Sequence, residues 1–161
     1  MNIEEIAKMI DHSLLHPTMT DEDLRTGCET AKAYKTASVC IKPYAVKKAV
    51  EWLKGSGVPV CTVIGFPHGS HTTSIKVAEC RQACEEGATE IDMVVNIGKV
   101  LSGDWDYVAG EIKEINDEAI KHGAIVKVIF ENDFLKDEHK IRLCEICSII
   151  PVAFVKTSTG Y

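Results

Sequence analysis

Long apolar runs are missing from this 161-residue sequence, and no stretch approaches the roughly 20 apolar residues that a membrane helix requires. Basic runs are missing as well: the formal net charge is −6, and Lys47-Lys48 is the only pair of adjacent lysines. These absences argue against a membrane protein and against a nucleic-acid partner. The N-terminus, from Met1 to Glu5, lacks a signal-peptide pattern, so we expect a cytoplasmic protein.

A disulfide framework and a metal-ligand pattern are also missing. The seven cysteines are odd in number and scattered through apolar segments, which predicts reduced thiols in a core. Cys144 and Cys147 form the one C-x-x-C pair, but this pair falls in a helical pattern without a second pair, so zinc is not expected there. The histidines show no ligand spacing, and we expect neither a metal ion nor another cofactor.

What is present is a recurring unit: a short β-branched run, a polar turn, then a helical stretch. The units begin roughly every 23 to 35 residues, the size of a βα unit. Most runs are continuously apolar, as are strands buried on both faces of a parallel sheet. With 45% hydrophobic and 26% charged residues, the sequence predicts one α/β domain over residues 1–161. The predicted strands are 9–15, 37–41, 58–64, 91–97, 125–130 and 152–156.

Helix boundaries between these strands are marked by capping and breaking residues. Thr20 precedes an acidic first turn and is predicted to be an N-cap. Pro43 suits a first helical position, and Gly87 and Gly123 follow the ends of two later helices. The last predicted helix stops before Pro151.

Three ionisable residues interrupt the last three strands: Asp92, Lys127 and Lys156. The alternation of side chains places Asn96 on the face of Asp92 and Glu131 on the face of Lys127. A single charge at a strand end is often one that reaches water. Three charges on consecutive strands favour a shared interior, where Asp92 and Lys127 would neutralise each other.

This set of groups predicts a particular chemistry. One lysine lowers the pKa of another by repulsion, which leaves a neutral amine that adds to a carbonyl and forms an iminium ion. An adjacent carboxylate can relay the protons needed for carbonyl addition and for C–C bond cleavage. Two lysines with one aspartate therefore fit an iminium-forming aldolase better than a hydrolase.

Two polar turns follow predicted strands and add weaker signals. The turn 65–70 is either a plain turn or part of a site at the carboxyl ends of the strands, where parallel sheets bind ligands. The turn 157–160 offers hydroxyl and backbone N–H groups to an anion. Cys40 lies inside a strand run, so packing is its default role.

Taken together, these segments resemble the deoxyribose-phosphate aldolase family. The matching stretches occur in family order at 10–15, 39–43, 63–69, 90–98, 127–131 and 154–160. The resemblance implies a (β/α)8 barrel and a metal-free class I aldolase. It also implies cleavage of 2-deoxyribose 5-phosphate to acetaldehyde and glyceraldehyde 3-phosphate, so that the ligands are a small phosphorylated sugar and acetaldehyde.

The resemblance also implies roles for individual residues. Lys156 matches the iminium-forming lysine, Asp92 the aspartate of the proton relay and Lys127 an active-site lysine of the fifth strand. The remaining matches are to the surroundings of the substrate: Cys40 lies near it, and Thr159 and Gly160 form part of the wall around it and its phosphate.

The sequence departs from the family by lacking the seventh and eighth strands, with a second essential lysine and a phosphate loop. We therefore expect a partial TIM barrel of about six parallel strands. Open edges should cause homo-oligomerisation or element exchange, and turnover should be weak or absent. The alternative is a catalytically impaired assembly module. A nucleotide-binding open sheet is disfavoured, since no GxGxxG or P-loop pattern follows a strand.

Overall fold

The computed structural model describes residues 2–161 and consists of strands that alternate with helices. The strands are β1 Asp11–Leu14, β2 Ser38–Ile41, β3 Val60–Ile64, β4 Glu90–Val94, β5 Ile125–Ile129 and β6 Phe154–Lys156. The helices are α1 Ile3–Ala7, α2 Asp21–Tyr34, α3 Val46–Trp52, α4 Thr73–Glu85, α5 Ile97–Leu101, α6 Trp105–Lys121 and α7 Asp137–Ile149. One-turn 3-10 helices lie at Pro43–Ala45 and Asn132–Phe134.

The six strands form one parallel sheet in sequential order, and the sheet curls strongly. In a flat sheet, β1 and β6 would lie about 24 Å apart, because neighbouring strands are separated by about 4.8 Å. Instead, the Asp11 carboxylate on β1 lies 2.7 Å from Lys127 Nζ on β5 and 3.5 Å from Lys156 Nζ on β6. The strands therefore form an open half-barrel, as the family resemblance implied.

The two faces of the sheet are packed differently. The outer face and the helices form the large apolar core, to which alternate strand residues such as Ile41, Ile91 and Val128 contribute. The inner face holds a small apolar cluster of Cys40, Cys61 and Val63 and, beside it, charged side chains. The continuously apolar strand runs thus arise from burial on both faces, as expected for parallel strands.

Local signals in the sequence account for several boundaries. Thr20 caps α2 in a capping box with Asp23, which confirms that prediction. Pro43 begins a 3-10 turn, and α3 itself starts three residues later. Gly69 has φ +67°, and a Cβ there would lie 1.9 Å from the Val95 carbonyl oxygen, so this turn requires glycine.

All six strands are shorter than predicted, and in β4 and β5 the faces assigned to Asn96 and Glu131 were wrong. Strand β4 ends at Val94, and Asn96 instead caps α5 by accepting from the Lys99 N–H at 3.2 Å. Strand β5 ends at Ile129, and Glu131 has a left-handed backbone with φ +58°. Strand alternation stops where the chain leaves the sheet, and Asn is a preferred helix cap.

Strands β1 and β6 form the edges of the sheet, and within residues 2–161 each has one neighbouring strand. Beside these edges, apolar side chains are exposed: Phe154 to 57%, Val155 to 48% and Met9 to 72%. No helix in this part of the chain combines the length and the apolarity needed to cross a membrane.

Candidate active site

The curled sheet brings together the three charged residues predicted from the sequence. Strand register pairs Asp92 directly with Lys127, and it pairs Lys156 with Ile129, two residues further along β5. The Asp92 carboxylate lies 3.5 Å from Lys127 Nζ through Oδ1 and accepts a hydrogen bond from Lys156 Nζ through Oδ2. The side chain of Asp92 is 1% exposed and that of Lys156 is 29% exposed, so Lys156 forms the accessible rim of the cluster.

Two further carboxylates belong to this cluster, and sequence reasoning missed both. Lys127 Nζ lies 2.7 Å from Asp11 Oδ2 and 2.7 Å from Glu90 Oε2. Asp11 is held in place by Ser38, whose hydroxyl donates to Asp11 Oδ1 at 2.8 Å. Asp11 lies inside the first predicted strand run, so asking which charges fall in strand runs would have found it, whereas Glu90 lies one residue before the fourth predicted run.

Two thiols complete the buried side of the cluster. Cys61 Sγ lies 3.2 Å from Asp92 Oδ1, and Lys127 Nζ lies 3.7 Å from the same sulfur. Cys40 Sγ lies 4.0 Å from Asp92 Oδ2. Cys40 and Cys61 are register partners on β2 and β3. The structure therefore places Cys40 beside the charged cluster and adds Cys61, which the sequence reasoning did not single out.

The C-terminal turn lies close to the turn that follows β3. The ring of Phe66 packs edge-to-face against that of Tyr161, with centroids 5.7 Å apart. Thr159 donates its backbone N–H, at 3.1 Å, and its hydroxyl group to the Glu131 carboxylate. Gly160 is exposed, with φ +90°. The hydrogen-bond donors of Thr159 are thus occupied by the Glu131 carboxylate. A role for Thr159 and Gly160 in substrate binding stays a prediction.

A cavity of about 300 Å³ opens between β1 and β6. Its polar lining includes Asp11, Glu90, Lys127 and Lys156, and Phe154 forms part of its apolar wall. Lys156 is the more exposed of the two lysines that line this cavity. The arrangement provides one partly exposed lysine, one buried carboxylate against it and a second lysine whose side chain is almost fully buried.

The model of the "DeoC/LacD family aldolase" matches residues 5–160 of this chain. The chain belongs to the DeoC/LacD aldolase family. A relative named deoxyribose-phosphate aldolase in Rhodopirellula baltica is 57% identical over 98% of this chain and 65% of its own length. One of the same name in Caldanaerobacter subterraneus subsp. tengcongensis is 51% identical over 99% of this chain and 70% of its own length.

A solved structure has the same fold. The tetrameric deoxyribose phosphate aldolase from Aeropyrum pernix superposes with a TM-score of 0.91 at 34% identity, and the match covers 99% of this chain and 66% of that chain. This chain thus spans about two thirds of the length of these DeoC/LacD relatives. The likeness confirms the partial (β/α) barrel and the family resemblance.

Electrostatics in this DeoC/LacD chain oppose the expected neutral amine. Burial disfavours the charge of Lys156, and Lys127 adds repulsion, but the hydrogen bond to Asp92 and its charge outweigh both and raise the pKa of Lys156. Burial also disfavours the charge of Lys127, yet the surrounding anionic groups raise its pKa well above the ordinary value. The expected depression of the Lys156 pKa is therefore not found, because the Asp92 carboxylate bound to this amine outweighs the repulsion from Lys127.

A second buried ion pair supports the same end of β4. Lys76 Nζ on α4 donates to Glu111 Oε1 on α6 at 2.8 Å and to the Val94 carbonyl oxygen at 2.8 Å. Glu111 Oε2 accepts from the Asn96 N–H at 3.1 Å. Both ionic side chains are fully buried. The pair thereby fixes the backbone just beyond Asp92, where the strand turns into the next loop.

Proposed function

We propose that this chain forms an iminium through Lys156 and acts on 2-deoxyribose 5-phosphate, with acetaldehyde as one product. The observation that carries the proposal is the hydrogen bond between the accessible Lys156 amine and the buried Asp92 carboxylate. A lysine with an adjacent base is the arrangement that covalent catalysis on carbonyl carbons needs. The substrate is suggested by the relatives, which carry the name deoxyribose-phosphate aldolase.

The chemistry follows from the proton that these two groups share. Transfer of a proton from Lys156 to Asp92 leaves an amine that attacks the substrate carbonyl and gives a carbinolamine. Asp92 returns the proton to the departing hydroxyl, water leaves, and an iminium remains. The Asp92 carboxylate then takes the proton of the β-hydroxyl, whose C–O bond becomes the carbonyl of the departing glyceraldehyde 3-phosphate. The electrons of the broken C–C bond form an enamine on Lys156. Protonation of the enamine carbon and addition of water release acetaldehyde and restore the lysine.

Lys127 is assigned a positioning role. Its Nζ is held by Asp11, Glu90 and Asp92, and its side chain is only 5% exposed. A carbonyl carbon cannot reach this amine without displacing an acid partner. Its positive charge holds the Asp92 carboxylate in place and stabilises the negative charge on Asp92 each time that residue gives up a proton.

We also propose that turnover by residues 1–161 alone is weak or absent. Lys156 lies on an edge strand of three residues, and its neighbour Phe154 is exposed to water. Water at the reacting amine weakens electrostatic stabilisation and hydrolyses the iminium early. The Thr159 donors are engaged by Glu131, so this turn gives the substrate phosphate little of the binding energy that orients a sugar.

Reductive trapping tests the nucleophile separately from turnover. Acetaldehyde and borohydride should add one ethyl group, located by peptide mapping on Lys156, and Lys156→Met should lose this label. Lys136→Met, which removes a highly exposed lysine, serves as the matched control and should leave the label in place. Labelling that persists in Lys156→Met, or that maps to Lys127, would overturn the assignment. Fast cleavage of 2-deoxyribose 5-phosphate by the same sample would refute the proposed weak turnover.

A second role, self-association, is favoured by the open edges. Strand β6 carries Phe154 and Val155 exposed, and β1 has one neighbour within the described part of the chain. Unpaired backbone groups beside apolar side chains are a template for pairing with another copy. Light scattering should therefore give a mass above that of a monomer, and Val155→Lys should lower it. A well-folded monomer over a wide concentration range would rule this role out.

A further inference from the structure

The inner face of the half-barrel carries a group of donors whose spacing suits a metal ion. Within residues 2–161, the thiol sulfurs of Cys40 and Cys61 and a carboxylate oxygen of Asp92 all lie within 4.8 Å of one another. In a tetrahedral zinc site, sulfur and oxygen ligands sit about 3.6 Å apart and two sulfurs about 3.8 Å apart, given bond lengths near 2.3 and 2.1 Å. The observed separations are 3.2 Å from Cys61 Sγ to Asp92 Oδ1 and 4.0 Å from Cys40 Sγ to Asp92 Oδ2, so each thiol faces a different oxygen of the carboxylate.

We propose that Cys40, Cys61 and Asp92 form an inhibitory binding site for a thiophilic divalent cation such as Zn²⁺ or Cd²⁺. Two thiolates select soft ions, and a carboxylate with one water completes four-coordination. The bound ion inhibits and is not a cofactor, because we place it on Asp92 Oδ2, the oxygen that accepts from Lys156 Nζ.

The three proposed ligands lie on central strands, whereas Lys156 lies on an edge strand where its side chain has room to move. The three ligands stand on adjacent strands β2, β3 and β4 and are almost fully buried. Lys156 stands on the short edge strand with a partly exposed side chain, so it can turn toward water when an ion takes its place beside Asp92. An ion bound through Asp92 Oδ2, the oxygen that accepts from Lys156 Nζ, therefore displaces the Lys156–Asp92 hydrogen bond.

Charge does not oppose the ion. The cluster contains the carboxylates of Asp11, Glu90 and Asp92 against two lysines. Binding one divalent ion releases the two thiol protons, so the net charge of the cluster is unchanged. Burial, Cys40 and Asp92 raise the pKa of the Cys61 thiol, and Lys127 Nζ, 3.7 Å from Cys61 Sγ, opposes that rise only in part, so the ion must displace the thiol proton.

Cadmium titration of the reduced chain without oxygen tests binding. Thiolate-to-cadmium charge-transfer absorbance should saturate at one ion per chain, with the intensity of two thiolates. Cys61→Ser should weaken binding at least about 100-fold, since loss of supporting groups alone typically costs 10–100-fold. The matched controls Cys84→Ser and Cys144→Ser, which remove less buried thiols, should bind as the unaltered chain does.

Outcomes that overturn the site are equally definite. The site is refuted if Cys61→Ser leaves the cadmium absorbance unchanged or if Cys144→Ser abolishes it. It is also refuted if the absorbance of the unaltered chain does not correspond to two thiolates, and this measurement needs no variant. Asp92→Asn should keep the thiolate absorbance and weaken binding, and unaltered affinity would remove Asp92 from the site.

The inhibitory part rests on the proposed function and is tested separately. One equivalent of Zn²⁺ should suppress ethyl labelling of Lys156, and a chelator should restore it. Labelling unaffected by bound Zn²⁺ would refute the inhibition while leaving the cadmium result intact. If Lys156 is not labelled even without metal, the proposed function fails, and the inhibitory assignment fails with it.

Discussion

The buried pair of Lys76 and Glu111 gives a prediction about stability. Lys76→Met removes the cation that pairs with the Glu111 carboxylate, and it also removes the donor to the Val94 carbonyl. Burial already lowers the pKa of Lys76 and raises that of Glu111, so each charged form depends on the other. Removing either partner should therefore be costly.

The magnitude follows from the environment of the pair. Breaking a fully buried ion pair from one side costs about 3–5 kcal/mol. In the double variant Lys76→Met/Glu111→Leu no charge is left uncompensated. Its cost comes from the Val94 carbonyl and the Asn96 N–H, each of which loses a partner at about 1–3 kcal/mol. We expect the sum of the two single costs to exceed the cost of the double variant by about 4 kcal/mol.

Urea unfolding at pH 7, followed by far-ultraviolet circular dichroism, measures all corners of this cycle. The matched control is the pair Lys113 and Asp117 on α6, whose side chains are 65% and 49% exposed. The corresponding cycle there should give an interaction of about 0.3–0.5 kcal/mol. If the double variant at Lys76 and Glu111 costs as much as the two singles added together, the two charges do not depend on each other and the reasoning is refuted.

Three further predictions follow from single contacts. Because the pKa of Lys156 is raised above 10.5, its neutral fraction and the rate of borohydride trapping at that residue should rise about tenfold per pH unit from pH 7 to 9; a flat profile would contradict this. Gly69→Ala should lower the free energy of unfolding in urea by about 2–3 kcal/mol, because it strains the backbone and its Cβ clashes with a carbonyl oxygen. Gly110→Ala should raise that free energy by up to about 1 kcal/mol, because Gly110 is helical and has open space for a Cβ. Hydrogen bonds from Arg81, above all, and from Lys121 lower the pKa of Glu118 to about 2, so the ionised Glu118 stabilises the fold above pH 4.5 and loses this effect as pH falls toward 2. The difference in melting temperature between the unaltered chain and Glu118→Gln should therefore shrink over that window. A constant difference would show that ionisation of Glu118 is irrelevant.

Individual residues show which features of the fold and the site could be predicted from the sequence. Strand β2 was predicted to span 37–41 and is found at Ser38–Ile41, because a continuous apolar run between turn residues is a local signal. Asn96 was assigned to a strand face although it caps a helix, and only the position of the strand end separates these readings. The cysteine pair beside Asp92 was not foreseen, since Cys40 and Cys61 lie in different strand runs and their contact depends on register.

The sequence by itself determined six parallel strands and the family resemblance, because apolar periodicity and short motifs are encoded by neighbouring residues. It also indicated that Asp92, Lys127 and Lys156 share an interior, since side chains alternate along a strand. Only the tertiary structure decided that Asp11 crosses the half-barrel to reach both lysines and that the lysine pKa values rise. Both depend on the curl of the sheet and on distances between distant charges, and these are properties of packing that no local segment contains.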